Sequence, residues 1–169
     1  MRASVWLAPV GEYLFVLLQV ALTGLWVARV ATGPAPRLGA TAVQRVGGFA
    51  AGGAVGGAGL LLVGRGPTYY LGAILLWAGP VLALQWAVGW PALWRRRRTV
   101  LVGVAVPTVY LCAVDRIALS LGLWRLSSEH TTGVTLLGLP VEEATFFLVT
   151  NAFVVQGLLL YGWVVERWR

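Results

Sequence analysis

An all-α, polytopic membrane bundle of about five helices is the fold this sequence predicts. Three observations lead there. Of 169 residues, 59% are hydrophobic and only 11% charged, against about 25% charged in a soluble domain. Apolar runs long enough to cross a bilayer recur five times. The thirteen cations, all Arg, fall mostly at the ends of these runs and between them rather than on one face. That placement turns a net charge of +7 from a nucleic-acid signal into a membrane-orientation signal, and no nucleic-acid partner is expected.

A bilayer core takes about 20 apolar residues per helix, which places the spans at roughly 12–31, 46–64, 69–90, 99–122 and 140–163. The first has a weakly basic start, Glu12 at its head and no prompt small-x-small cleavage pattern, so it is expected to be a retained helix, not a signal peptide. The second is glycine-rich, with Gly48, Gly52 and Gly56 every four residues. No G-x-G-x-x-G pattern follows a strand, so the glycines predict close helix packing and offer one surface for association with another polypeptide. The third ends in Trp86, Trp90 and Trp94, spaced as an interfacial belt beside Arg95–Arg98. Trp6 marks the opposite face, and Trp163 and Trp168 the inner end of the last helix. The fourth span carries Asp115 and Arg116, the latter a snorkelling charge or a counter-ion for one acid. The fifth opens on Glu142-Glu143.

Arginines set the orientation. Arg29, Arg37 and Arg45 lie in the first connection, Arg95–Arg98 in the third, and Arg167 and Arg169 at the C-terminus; the second and fourth connections hold one Arg each. The alternation predicts an outer N-terminus and a cytoplasmic C-terminus in a multi-pass protein of the cell membrane.

Placing Ala8–Ala21 over Leu139–Ala152, an offset of 131, aligns Pro9 with Pro140, Glu12 with Glu143 and Phe15 with Phe146. Six of fourteen positions are identical, and Pro, Glu and Phe are not common membrane filler. Both copies begin a helix on the same side, a parallel repeat. Gly11 stands where the second copy has Glu142.

Only six acids occur in the chain. Glu129 and Glu166 read as solvated. Glu12, Asp115, Glu142 and Glu143 fall at span ends of similar depth, where carboxylates are costly and commonly functional. An acid opening a helix also complements its dipole, so one of the adjacent pair has a structural alternative. Helical spacing puts Glu143, Phe147, Thr150 and Asn151 on one face and Glu12, Gln19 and Thr23 on another, and two such stripes can meet inside a bundle.

These motifs resemble the small integral-membrane lycopene cyclases of carotenogenic bacteria and archaea. The likeness rests on Asp115-x-x-Ala118, Gly122-Leu-Trp124, the loop with Glu129 and Thr131-Thr132-Gly133, and Leu139-Pro140-Val141-Glu142-Glu143 with Phe146-Phe147. It spans about 69–160. The stretch from Glu12 to Trp26 looks like the last helix of a preceding repeat. The resemblance implies a partial repeat over 1–68 and a complete one over 69–169. It also implies a lycopene-like carotenoid substrate and non-redox, acid-initiated ring closure. Glu143 is expected as proton donor, Glu142 as its partner or base, and Asp115 as a supporting acid. Phe146, Phe147 and Trp124 would face the carbocation, while Glu12, Gln19, Thr150 and Asn151 would complete the site and orient the acids. No cofactor and no metal are expected, one His and one Cys making a poor ligand set. The helices missing from the first repeat would come from a second copy or a second cyclase-like chain. Two alternatives are a small proton-coupled transporter subunit, since buried acids also relay protons, and a non-catalytic partner subunit.

Overall fold

The computed structural model describes residues 4–5, 8–33 and 39–168. Five helices are long and apolar enough to cross a membrane: α1 (Val10–Val30), α2 (Ala42–Val63), α3 (Tyr69–Arg95), α4 (Arg97–Ser120) and α5 (Val141–Trp168). Their outward side chains are largely apolar; Leu17, Leu18 and Leu25 of α1 are each about two-thirds exposed or more, as a lipid-facing surface requires. Arg37 and Trp6 lie outside the described residues, as do the side chains of Trp163 and Trp168.

Helix ends depart from the hydropathy estimate for local reasons. α2 begins four residues early because Thr41 and Gln44 form a reciprocal capping box, a signal that hydropathy ignores. α3 runs through Pro91 to Arg95 by kinking at Gly89, whose backbone (φ −155°, ψ 22°) leaves the helical region. The four arginines are therefore no loop: Arg95 closes α3, Arg97 opens α4, and Arg96 alone lies between them.

The glycine stripe packs within the chain, which corrects the expectation that it faces another polypeptide. A Cβ at Gly52 would lie 2.2 Å from the Ala83 backbone, one at Gly48 2.5 Å from the Trp86 carbonyl, and one at Gly59 2.3 Å from the Leu76 backbone. α2 and α3 thus touch backbone to backbone. α5 is the hub of the remaining helices, packed on α3, α4 and α1. Val27, Leu93, Val104, Val155, Leu159 and Leu160 form a buried cluster between these four near the arginine end.

Two small hairpins complete the fold. β1 (Ser4–Val5) pairs antiparallel with β2 (Ala8–Pro9), and β3 (Thr135–Leu136) with β4 (Leu139–Pro140). Each leads directly into a helix, α1 from Val10 and α5 from Val141. Every bound of the second hairpin, and the start of α5, lies 131 residues after its counterpart in the first.

Candidate active site

The acid site forms where α3 and α5 begin and α4 ends, opposite the arginines. Asp115, Glu142 and Glu143 are all buried, Glu142 completely. Their charges lie within electrostatic reach: Asp115 and Glu142 both act on Glu143 and on Tyr70. Each glutamate is held from outside its own helix. The Tyr70 hydroxyl, second residue of α3, donates to Glu143 Oε1 at 2.9 Å. Thr132 donates twice to Glu142 Oε1, from its backbone N–H at 2.6 Å and its hydroxyl at 2.7 Å. Among the described residues, Glu142 Oε2 and Asp115 Oδ2 are buried without a hydrogen-bond partner. The Thr132 N–H makes Oε1 an acceptor, and Oε2 is the carboxyl oxygen left open to carry a proton.

The connection between α4 and α5 makes this arrangement possible. The Tyr70 N–H donates to the His130 carbonyl at 3.0 Å, and the rings of Tyr69 and His130 lie 5.4 Å apart. The Val141 N–H reaches back to the Val134 carbonyl at 3.0 Å. The loop therefore joins the start of α3 to the start of α5 and carries Thr132 between them. Trp124, in the same loop, brings its indole N–H against Asp115.

Below Glu143 by one helical turn lie Phe146 and Phe147. Their rings stand 5.7 Å apart, with Phe15 of α1 5.9 Å from Phe147 and Trp77 of α3 6.5 Å from Phe146. Trp77 also meets Phe153 at 5.3 Å. This aromatic group opens toward lipid at Trp77, which is 42% exposed.

Other sequence-nominated residues fall differently. Gln19 and Thr23 do meet Thr150 and Asn151 across the α1–α5 contact. Thr23 donates to Asn151 Oδ1 at 2.8 Å, Gln19 donates to Thr150, and Asn151 passes a bond to Thr108 of α4 at 3.0 Å. These bonds join three helices about two turns beneath the acids, and among the described residues none of them reaches a carboxyl. Glu12 is exposed, because neither α3 nor α4 covers that end of α1. Trp124 belongs with Asp115 and shares no ring contact with the phenylalanines among the described residues. Arg116 is exposed and makes no ion pair with the acids among the described residues. Sequence reading missed Tyr70, Thr132, Phe15, Trp77 and Phe153. Thr132 lies in the quoted Thr-Thr-Gly loop, whereas Tyr70 carries no local signal. Among the described residues no three His, Cys, Asp or Glu side chains converge as a metal site requires.

Fold and site together define an integral-membrane helical protein with a cluster of desolvated carboxyls over an aromatic floor. Over 164 residues, 97% of its length, the chain is 53% identical to the lycopene beta-cyclase of Halobacterium salinarum and spans 69% of that protein. It is also 41% identical over 108 residues to the bifunctional lycopene cyclase/phytoene synthase of Aspergillus niger, and 42% over 99 residues to that of Leptosphaeria maculans. These matches cover 62% and 57% of the chain but 18% and 17% of the fungal proteins. No family model and no solved structure matches it. The chain belongs to the lycopene cyclase family.

Proposed function

We infer that this chain is a membrane enzyme that cyclises the linear end group of lycopene or a related carotenoid. The observation that carries the reading is a carboxyl pair, one member fully buried, set above an aromatic group open to lipid. The 53% identity to a lycopene beta-cyclase favours this over a proton-coupled transporter or a non-catalytic partner, and favours a β-type ring.

Ring closure needs no redox partner. A proton adds to the terminal double bond, the next double bond attacks the resulting cation, and loss of a proton leaves the ring. Glu143 serves as the donor, because it lies directly over Phe146 and Phe147, where an apolar end group would rest. Glu142, held by Thr132, takes up the proton balance as partner or base, and Asp115 supports the pair. The rings of Phe146, Phe147, Phe15 and Trp77 stabilise the cation. Tyr70 and Thr132 act as positioning residues, each fixing one oxygen of one glutamate.

The protein resides in the cell membrane with its arginine end toward the cytoplasm. Residues 69–169 form one repeat unit, and α1 belongs to another. The active species is a homodimer or a complex with a second cyclase-like chain: Glu12 occupies the position equivalent to Glu143 yet is exposed, beside exposed Leu14, Leu17 and Leu18. The test is expression in a lycopene-accumulating host. Conversion of lycopene to a ring-bearing carotenoid supports the reading, and unchanged lycopene with the protein present in the membrane overturns it. An active species that stays monomeric in detergent would remove the second chain.

A further inference from the structure

The connection between α4 and α5 is divided in composition. Residues 125–130 include Arg125, Ser127, Ser128, Glu129 and His130, whereas 131–140 carry no charge. The second half forms the β3–β4 hairpin, whose two turn residues both have positive φ, Leu137 at 51° and Gly138 at 82°. This is the mirror-type turn that ordinarily takes Asn-Gly or Asp-Gly. A bulky leucine at positive φ is disfavoured, so turn chemistry does not account for it.

Its surroundings do. Leu137 is 84% exposed, more than any other large apolar side chain among the described residues, and Leu136 and Val134 beside it are 62% and 57% exposed. The turn does not stand away from the bundle. Gly138 lies against Arg116, whose Nε would be 3.1 Å from a Cβ at that position, and Arg116 is four residues inside the end of α4. The turn therefore lies beside the last turns of α4, itself a membrane span, rather than beyond them. The first hairpin repeats the pattern in sequence, with Trp6 and Leu7 between its strands. Trp is favoured at membrane interfaces.

We infer that the β3–β4 turn is a membrane-dipping tip: Leu136 and Leu137 insert their side chains into the bilayer beside α4, and Arg116, against Gly138, pairs the turn with the headgroup boundary. Lipid is the occupant because the tip is apolar, lies against the α4 span and continues into the α5 span. Thr132 lies three residues before β3, so the segment that holds Glu142 leads directly into an element anchored in lipid on the same side as the acids. The inference does not depend on the reaction assigned to them.

Spin labels decide it. Leu137→Cys, Leu136→Cys and Ser128→Cys, each combined with Cys112→Ser, are labelled and reconstituted into phosphatidylcholine bilayers. Collision with oxygen, enriched in lipid, is compared with collision with a water-soluble nickel chelate. A label at 137 should show an oxygen-to-nickel ratio severalfold above that at 128. Equal ratios would place the tip in water, and protection from both probes would place it under protein; either overturns the inference. The label at 136 gives the same reading should the variant at 137 fail to fold.

Discussion

Gln19 of α1 donates its side-chain amide to Thr150 of α5, the residue 131 positions further along the chain. That separation equals the offset relating the two hairpin–helix units, so equivalent positions of the two units touch each other. Beside that contact Asn151 gathers Thr23 and Thr108.

Asn151→Leu should therefore loosen α1 from α4 and α5. Interhelical hydrogen bonds in membranes contribute about 0.6–2 kcal/mol each, and this substitution removes three, to Gln19, Thr23 and Thr108, while leaving buried Thr23 without its acceptor. Thermal unfolding in detergent should shift to lower temperature. An unchanged midpoint would show that the three helices are held by apolar packing alone.

Glu143→Gln should abolish cyclisation while the protein remains in the membrane, since the amide keeps the shape and loses the acidic proton. Tyr70→Phe should be gentler. Losing a hydrogen bond to a carboxyl costs roughly 1.5–3 kcal/mol, or about 10- to 100-fold in rate, with the same ring formed. Pigment extraction from a lycopene-accumulating host reports both, and full activity of Tyr70→Phe would remove Tyr70 from the site.

Thr132 gives a graded test, because its two donors can be removed separately. Thr132→Val keeps the N–H on Glu142 and should retain partial activity. Thr132→Pro removes both donors and should approach the loss seen with Glu142→Gln. Equal activity of the two variants would dissociate the loop from the acid.

Gly52→Leu should disrupt the α2–α3 pair, since its first added carbon meets backbone rather than a yielding side chain. Overpacking costs about 1–3 kcal/mol, and here neither helix can move without breaking the other close approaches at Gly48 and Gly59. Gly53→Leu, where an added carbon meets nothing within 4 Å, should be silent. The pair is compared by yield and melting temperature in detergent.

Ser128→Cys in a Cys112→Ser background should react with an impermeant thiol reagent only from the outer side of intact cells. Reaction only from the cytoplasmic side would reverse the orientation and place the carboxyls at the inner leaflet.

The sequence by itself determined five spans, the basic and acidic ends, the 131-residue offset relating the start of α1 to that of α5, and the candidate acids. These are local properties. Twenty apolar residues in a row, or a Pro and a Glu three residues apart, have the same meaning whatever lies beside them. The fold decided what each side chain meets. Tyr70 is 73 residues from Glu143 in the chain, and only the packing of α3 against α5 makes it a hydrogen-bond donor to that acid. Gly48, Gly52 and Gly56 announce close packing in the sequence, but the short α2–α3 connection is what turns them inward onto α3. Glu12 matches Glu143 in sequence and differs in burial, because desolvation comes from neighbouring helices, and in this chain only α5 is flanked at that end by both α3 and α4.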